Sequence, residues 1–138
     1  MLKIKLDEGA KMPTRAHECD AGMDLYSTEG KLVPAMGNAI FDTGVHMEIP
    51  KGFVGFIKSK SGLNVKHGLT CEGVIDSGYT GSIVVKLYND SDWDYLVEAG
   101  DKIAQIVLLP VWVPESMILV HRLEESERGD NGFGSTGR

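Results

Sequence analysis

Apolar positions along this chain come in short runs with a period close to two rather than three to four. Alternation of that kind places side chains on opposite faces of extended strands. The opening Leu2-Lys3-Ile4-Lys5-Leu6 is one such run, and strands are predicted over residues 2–6, 39–49, 53–59, 69–75, 82–89, 102–109 and 117–123. Within Ile83-Val84-Val85-Lys86-Leu87-Tyr88, Lys86 falls on the face opposite Ile83, Val85 and Leu87. Asp76-Ser77-Gly78, Asn89-Asp90-Ser91-Asp92 and Ala99-Gly100-Asp101 supply turn residues between the runs. One short helix is predicted over 61–68, with Ser61 as N-cap, Lys66 and His67 in the last turn and Gly68 as a left-handed stop. There is no long helical pattern, internal repeat or interdomain linker. Many short strands at this spacing predict an all-β sandwich or barrel.

Composition narrows the picture. A chain of 138 residues is enough for one domain with its own core, and 42% hydrophobic with 25% charged residues is ordinary for a globular protein. Fourteen basic against twenty acidic residues, net charge -6, argues against broad binding to a nucleic-acid backbone, but leaves room for one small phosphate ligand held by local donors or a cation. Cys19 and Cys71 are far apart and show no metal-binding spacing, so they are expected to be reduced thiols. The N-terminal strand has no apolar signal core, and no run approaches the ~20 apolar residues of a membrane helix. The expectation is a cytoplasmic protein with no membrane partner.

Five segments carry candidate chemistry, and each also has an ordinary structural explanation. Lys58-Ser59-Lys60-Ser61-Gly62 puts lysines and hydroxyls before a helix start, where an anion is favoured; a plain capped helix reads the same. Gly73-Val74-Ile75-Asp76 runs into a turn with Tyr79 just beyond, so that Asp76 can orient and deprotonate a water, or merely begin a turn. Gln105 sits in the apolar run 102–109 and needs polar partners, from neighbouring backbone or from a phosphate. Asp24, within Ala21-Gly22-Met23-Asp24-Leu25, either neighbours a metal or bonds to local amides. His46, His67 and His121 are scattered and are given no catalytic role. The C-terminal stretch 128–138 holds four glycines with Arg128, Phe133, Gly134, Ser135 and Thr136. Bare amides and a guanidinium suit a polyphosphate and a lone aromatic suits a base, yet the same composition describes a mobile terminus. Its GxGxxG match ends the chain with no helix to follow, so it is no dinucleotide fingerprint.

The order of these segments is more specific than any one of them. Ala21-Gly22-Met23-Asp24-Leu25, Lys60-Ser61-Gly62-Leu63, Gly73-Val74-Ile75-Asp76 with Tyr79 and Gly81, Gly100-Asp101-Lys102-Ile103-Ala104-Gln105, and Arg128-Gly129 through Gly132-Phe133-Gly134-Ser135-Thr136-Gly137 resemble, in sequence, the five motifs of the trimeric dUTPase family. The resemblance implies a jelly-roll-like β-barrel over residues 1–123, a flexible arm over 124–138, and a homotrimer with three sites at subunit interfaces. It implies magnesium-dependent hydrolysis of dUTP to dUMP and pyrophosphate, with Asp76 activating the water that attacks the α-phosphorus. Tyr79 would pack on the deoxyribose, and the backbone of Gly73, Val74 and Ile75 would read the uracil edge. Lys60, Ser61, Gly62 and Gln105 would hold the phosphate chain, and Asp24 would touch the metal through water. From the arm, Phe133 would stack on the base, while Arg128, Gly134, Ser135 and Thr136 would close over the γ-phosphate.

Two positions depart from the family pattern. Lys60 stands where arginine is usual, keeping the charge and losing the planar fork, and Met23 stands where an aromatic is frequent. A dCTP deaminase on the same fold is the nearest rival, but it would want a glutamate as proton shuttle and a longer chain. A regulatory protein signalling through its nucleotide-bound state is the rival from another class, and no partner surface is visible in the sequence.

Overall fold

A computed structural model of the chain describes residues 1–137 and has eleven strands and one helix. The strands are β1 (Lys3–Leu6), β2 (Gly22–Tyr26), β3 (Lys31–Val33), β4 (Asn38–Asp42), β5 (Val45–Glu48), β6 (Phe53–Lys58), β7 (Leu69–Thr70), β8 (Glu72–Ile75), β9 (Val84–Asn89), β10 (Tyr95–Val97) and β11 (Lys102–Pro110). Helix α1 covers Ser61–His67. The result is mostly β and jelly-roll-like, with hydrogen bonding organised in four antiparallel sheets: β2-β11-β6-β8, β4-β9-β7, β1-β5 and β3-β10.

The alternation read from the sequence is what builds the core. In β4, Ala39 and Phe41 point inward between exposed neighbours, and in β9 Val85, Leu87 and Asn89 do the same. Lys86 lies on the opposite face, as expected. These side chains meet Leu25, Ile57, Ile103, Ala104 and Ile106 from the four-stranded sheet and Val45 and Met47 from β5. Asn89 is buried among them because its amide is satisfied, donating to Val33 O at 3.1 Å and Trp93 O at 2.7 Å and accepting from Ser91 N at 3.0 Å.

Several expected elements change on folding. The run 39–49 is divided by a Thr43-Gly44 turn into β4 and β5, and 69–75 divides around buried Cys71 into β7 and β8. Strands β3 and β10 are too short to be evident from pattern and form because they pair with each other. The expected strand over 117–123 does not form. Met117, Ile118, Leu119 and Leu123 are exposed, and an isolated extended run is not stable without a strand to accept its hydrogen bonds. The helix begins one residue earlier than expected: Lys60, not Ser61, takes the N-cap position, without a side-chain capping bond, and Ser61 is already helical. Gly68 does end it in the left-handed region, φ 67°.

Phe41 is fully buried at the centre of this core. Phe41→Ala is expected to lower folding stability by about 3–5 kcal/mol through lost burial and the cavity left behind, read as a shifted urea midpoint at unchanged slope.

Candidate active site

One group of the expected residues is assembled by the β2-β11-β6 ladder. Gln105 faces Asp24 across one strand pair and Lys58 across the other, so these positions form a row leading to Ser59 and Lys60. Gln105 finds its partner in the backbone, its Nε2 donating to Ser59 O at 3.0 Å. Gly22 makes that possible, since a Cβ there would lie 2.1 Å from Gln105 Oε1. Ser59 also locks the start of the next strand: its Oγ donates to Cys71 O at 3.3 Å and accepts from Cys71 N at 3.0 Å. Burial pushes the Cys71 thiol up to about 11, which keeps it protonated and inert.

Asp24 is the electrostatic centre of this group. Only 5% exposed, it receives Lys60 Nζ on Oδ1 and Lys102 Nζ on Oδ2, the latter at 2.8 Å. Burial works to raise its pKa, but hydrogen bonds from Lys102 and Lys60 outweigh that and hold the carboxyl below its ordinary value. The same bond raises Lys102. Lys102 was not singled out from the sequence. A β-bulge between Lys102 and Ala104 re-aims it, leaving Ile103 and Ala104 both buried and turning the lysine to Asp24. The Gly100-Asp101-Lys102 turn preceding a strand was the available signal. Ser61 and Gly62, at the start of α1, are exposed beside this cluster, with open space around Gly62.

The second group lies around the turn after β8. Tyr79 N donates to Asp76 O at 3.0 Å, closing the turn, and Tyr79 Oη donates to Ser82 O at 2.8 Å. Gly81 permits the ring to fold back, because a Cβ there would lie 2.5 Å from Tyr79 Oη. Ser82 Oγ donates to Asp42 on β4, tying the turn to the opposite sheet. Asp76 is exposed at the rim of a cavity of about 210 Å³ that it lines with Val74, Ile75, Tyr79, Ser82 and Val84. β8 is the outer strand of its sheet, so beside this cavity one side of the Gly73–Ile75 backbone has no ladder partner. A larger hollow of about 410 Å³ borders the β1-β5 ribbon, but there Lys3 already pairs with Glu48 at 3.0 Å, and the hollow contains neither Asp76 nor Tyr79.

The two groups do not meet within one chain. β6 and β8 run antiparallel with Lys58 opposite Glu72 and Gly55 opposite Ile75. Lys60 therefore leaves one end of the ladder and Asp76 the other, roughly 10–15 Å apart at about 3.3 Å per residue. The third group stays away from both: residues 112–137 are exposed, Phe133 entirely so, and Arg128 bonds only locally, Nε to Asn131 O at 2.9 Å. Gly134, Ser135 and Thr136 lie in tight turns of this arm, with Ser135 N donating to Gly132 O at 3.1 Å. Among the described residues, no three His, Cys, Asp or Glu side chains converge on a metal-sized site, and no helix is long and apolar enough to cross a membrane.

The described residues thus form a small, mostly β domain with a lysine-bridged aspartate at one ladder end and an aspartate–tyrosine turn at the other. The sequence profile of the dUTPase family matches residues 8–137, and the chain belongs to that family. A deoxyuridine 5'-triphosphate nucleotidohydrolase of Clostridium tetani is 45% identical, the match covering 99% of this chain and 97% of that protein. The dUTPase of Staphylococcus bacteriophage 80alpha, solved with dUPNHPP, superposes with a TM-score of 0.93 at 34% identity, covering 100% of this chain and 99% of that one. A mutant dUTPase from phage phi11 of S. aureus, described for the coordination of a structural Mg(II) ion, gives 0.83 at 31% identity, covering 91% and 99% respectively.

Because the folded Asp24 carboxyl is held below its unfolded pKa of about 3.9, its contribution to stability is complete above that value and is lost as pH falls through the lowered one. Asp24→Asn is therefore expected to be less stable at neutral pH and to show a flatter loss of stability below about pH 4, measured as urea midpoints against pH.

Proposed function

We propose that this dUTP-hydrolysing enzyme converts dUTP to dUMP and pyrophosphate by attack of an Asp76-activated water on the α-phosphorus. The observation that carries the reading is the Asp76–Tyr79 turn at the mouth of a cavity flanked by an unpartnered strand edge. A cavity of about 210 Å³ suits a base and part of a sugar, not a whole nucleoside triphosphate. The Gly73, Val74 and Ile75 backbone offers amides and carbonyls to the uracil edge, as a strand edge does to any added partner. The Tyr79 ring packs on the deoxyribose and leaves no room for a 2′-hydroxyl. Asp76, exposed at the rim, takes the proton from water as the new P–O bond forms; the bond from the α-phosphorus to the bridging oxygen breaks, and pyrophosphate leaves.

Phosphate binding falls to the other end of the ladder, with Lys60, Ser61, Gly62 and Gln105. Since Asp76 and Lys60 of one chain sit at opposite ends, a site that uses both kinds of residue is completed by a second copy. A homotrimer with sites at its interfaces satisfies that requirement. It also gives the exposed arm, residues 124–138, a place to close, with Phe133 on the base and Arg128, Gly134, Ser135 and Thr136 on the γ-phosphate.

Magnesium fits the donor set only as an outer contact. Both Asp24 oxygens hold ammonium groups, so Asp24 reaches a hydrated ion through water, once substrate phosphate draws a lysine away. When bound, the ion supplies neutralisation of phosphate charge. The enzyme is placed in the cytoplasm, where its nucleotide substrate would be met.

Asp76→Ala is expected to lower kcat by about 10²–10⁴-fold while dUTP still binds, measured as pyrophosphate release and calorimetric affinity; undiminished turnover would move the base elsewhere. Deleting residues 128–138 is expected to cut turnover at least ~10-fold with the oligomer intact by light scattering. A pyrophosphate assay across dUTP, dCTP, dTTP and UTP, with and without magnesium, checks substrate and cofactor together.

A further inference from the structure

His46 stands outside every motif, yet it joins the N-terminal strand to the turn that carries Asp76 and Tyr79. It lies on β5, opposite Lys5 of β1, with a side chain 18% exposed. Its Nδ1 is 2.8 Å from Thr80 O, and its Nε2 is 2.9 Å from Asp7 Oδ2. A carbonyl oxygen only accepts, and an ionised carboxylate only accepts. Both ring nitrogens therefore face groups that demand a proton, and neutral imidazole has one to give. The arrangement is complete only with the imidazolium.

We infer that protonated His46 is a positioning residue for the Asp76–Ser82 turn, clamping the Thr80 carbonyl to the Asp7 carboxylate. The other restraints on this turn, Ser82 to Asp42, Tyr79 Oη to the Ser82 carbonyl and Tyr79 N to the Asp76 carbonyl, do not reach the Thr80 carbonyl. The His46 clamp holds that carbonyl, next to Tyr79 in the chain. Around the ring, β1 contributes Asp7 just beyond its end and Lys5, the turn contributes the Thr80 carbonyl, and Glu48 and Lys3 pair two rungs along the ribbon. Asp7 outweighs Lys5: its hydrogen bond, followed by that of Thr80, holds the imidazole above its ordinary value. The stability the clamp contributes is thus complete below the unfolded pKa of about 6.5 and is lost as pH rises through the raised folded value. On deprotonation the remaining proton stays on Nε2, because the bond to a carboxylate is stronger than that to a neutral carbonyl. It is the Thr80 anchor that breaks.

The consequence for substrate rests on the roles proposed above for Asp76 and Tyr79; the clamp itself does not. In the full-length protein, ring ¹⁵N shifts of His46 are expected to show both nitrogens protonated at low pH and only Nε2 protonated at high pH. The amide signals of Thr80 and Gly81 should move with the same midpoint. Asp7→Asn should shift that midpoint to lower pH. KM for dUTP should rise about tenfold across the same transition, and His46→Phe should show the high KM at every pH. His46→Arg, which keeps charge and two donors, should hold KM low and level. Amide signals of the turn that stay still while His46 titrates, in either the wild type or Asp7→Asn, would overturn the clamp even if His46→Phe does not fold. Coupled titration with no dUTP turnover at all would leave the clamp standing and instead sink the reading of the site.

Discussion

The register of β6 against β8 is the constraint from which the layout of the site follows. Once Lys58 pairs with Glu72 and Gly55 with Ile75, the chain leaving β6 and the chain leaving β8 depart from opposite ends of one ladder. The Lys60 cluster and the Asp76 turn are thereby held rigidly and held apart. A slip of one residue would turn every side chain of the strand to the other face and expose Ile57. The burial that stabilises the core thus also sets the spacing of the two residue groups, and the proposal of a site shared between copies rests on that spacing.

Within the Lys60 cluster, charge and backbone geometry act together. Asp24 can be buried as an anion because two ammonium groups each take one of its oxygens. An unpaired buried carboxylate would neutralise instead. The bulge in β11 delivers the second lysine, and Gly22 leaves the space that lets Gln105 reach Ser59. Lys60, a point donor in place of a two-pronged guanidinium, matches this division: it serves one oxygen and leaves the other to Lys102.

The exposed segment after β11 has a different character. Trp112, Val113, Met117, Ile118, Leu119 and Leu123 lie open, a larger run of apolar surface than a lone chain in water favours. Beyond it the glycine-rich stretch contributes no burial and has a high ordering entropy. Both features accord with a segment that finds its contacts on other copies and on a ligand, which is how the proposed trimer would use it.

Much of this was legible in the sequence. Period-two alternation determined the all-β class, the inward faces of β4 and β9 and the exposed face of Lys86, because each depends only on neighbours two residues away. Gly68 announced the end of the helix for a similarly local reason. The ordered motifs determined the family, since they are properties of the string itself. The pairing of β3 with β10, the failure of 117–123 to become a strand, the bulge that recruits Lys102 and the double acceptor environment of His46 were decided by the tertiary structure. Each depends on which distant segment supplies, or withholds, a hydrogen-bonding partner, and the pairing of residues 39 positions apart, such as Asp7 and His46, leaves no periodic trace along the chain.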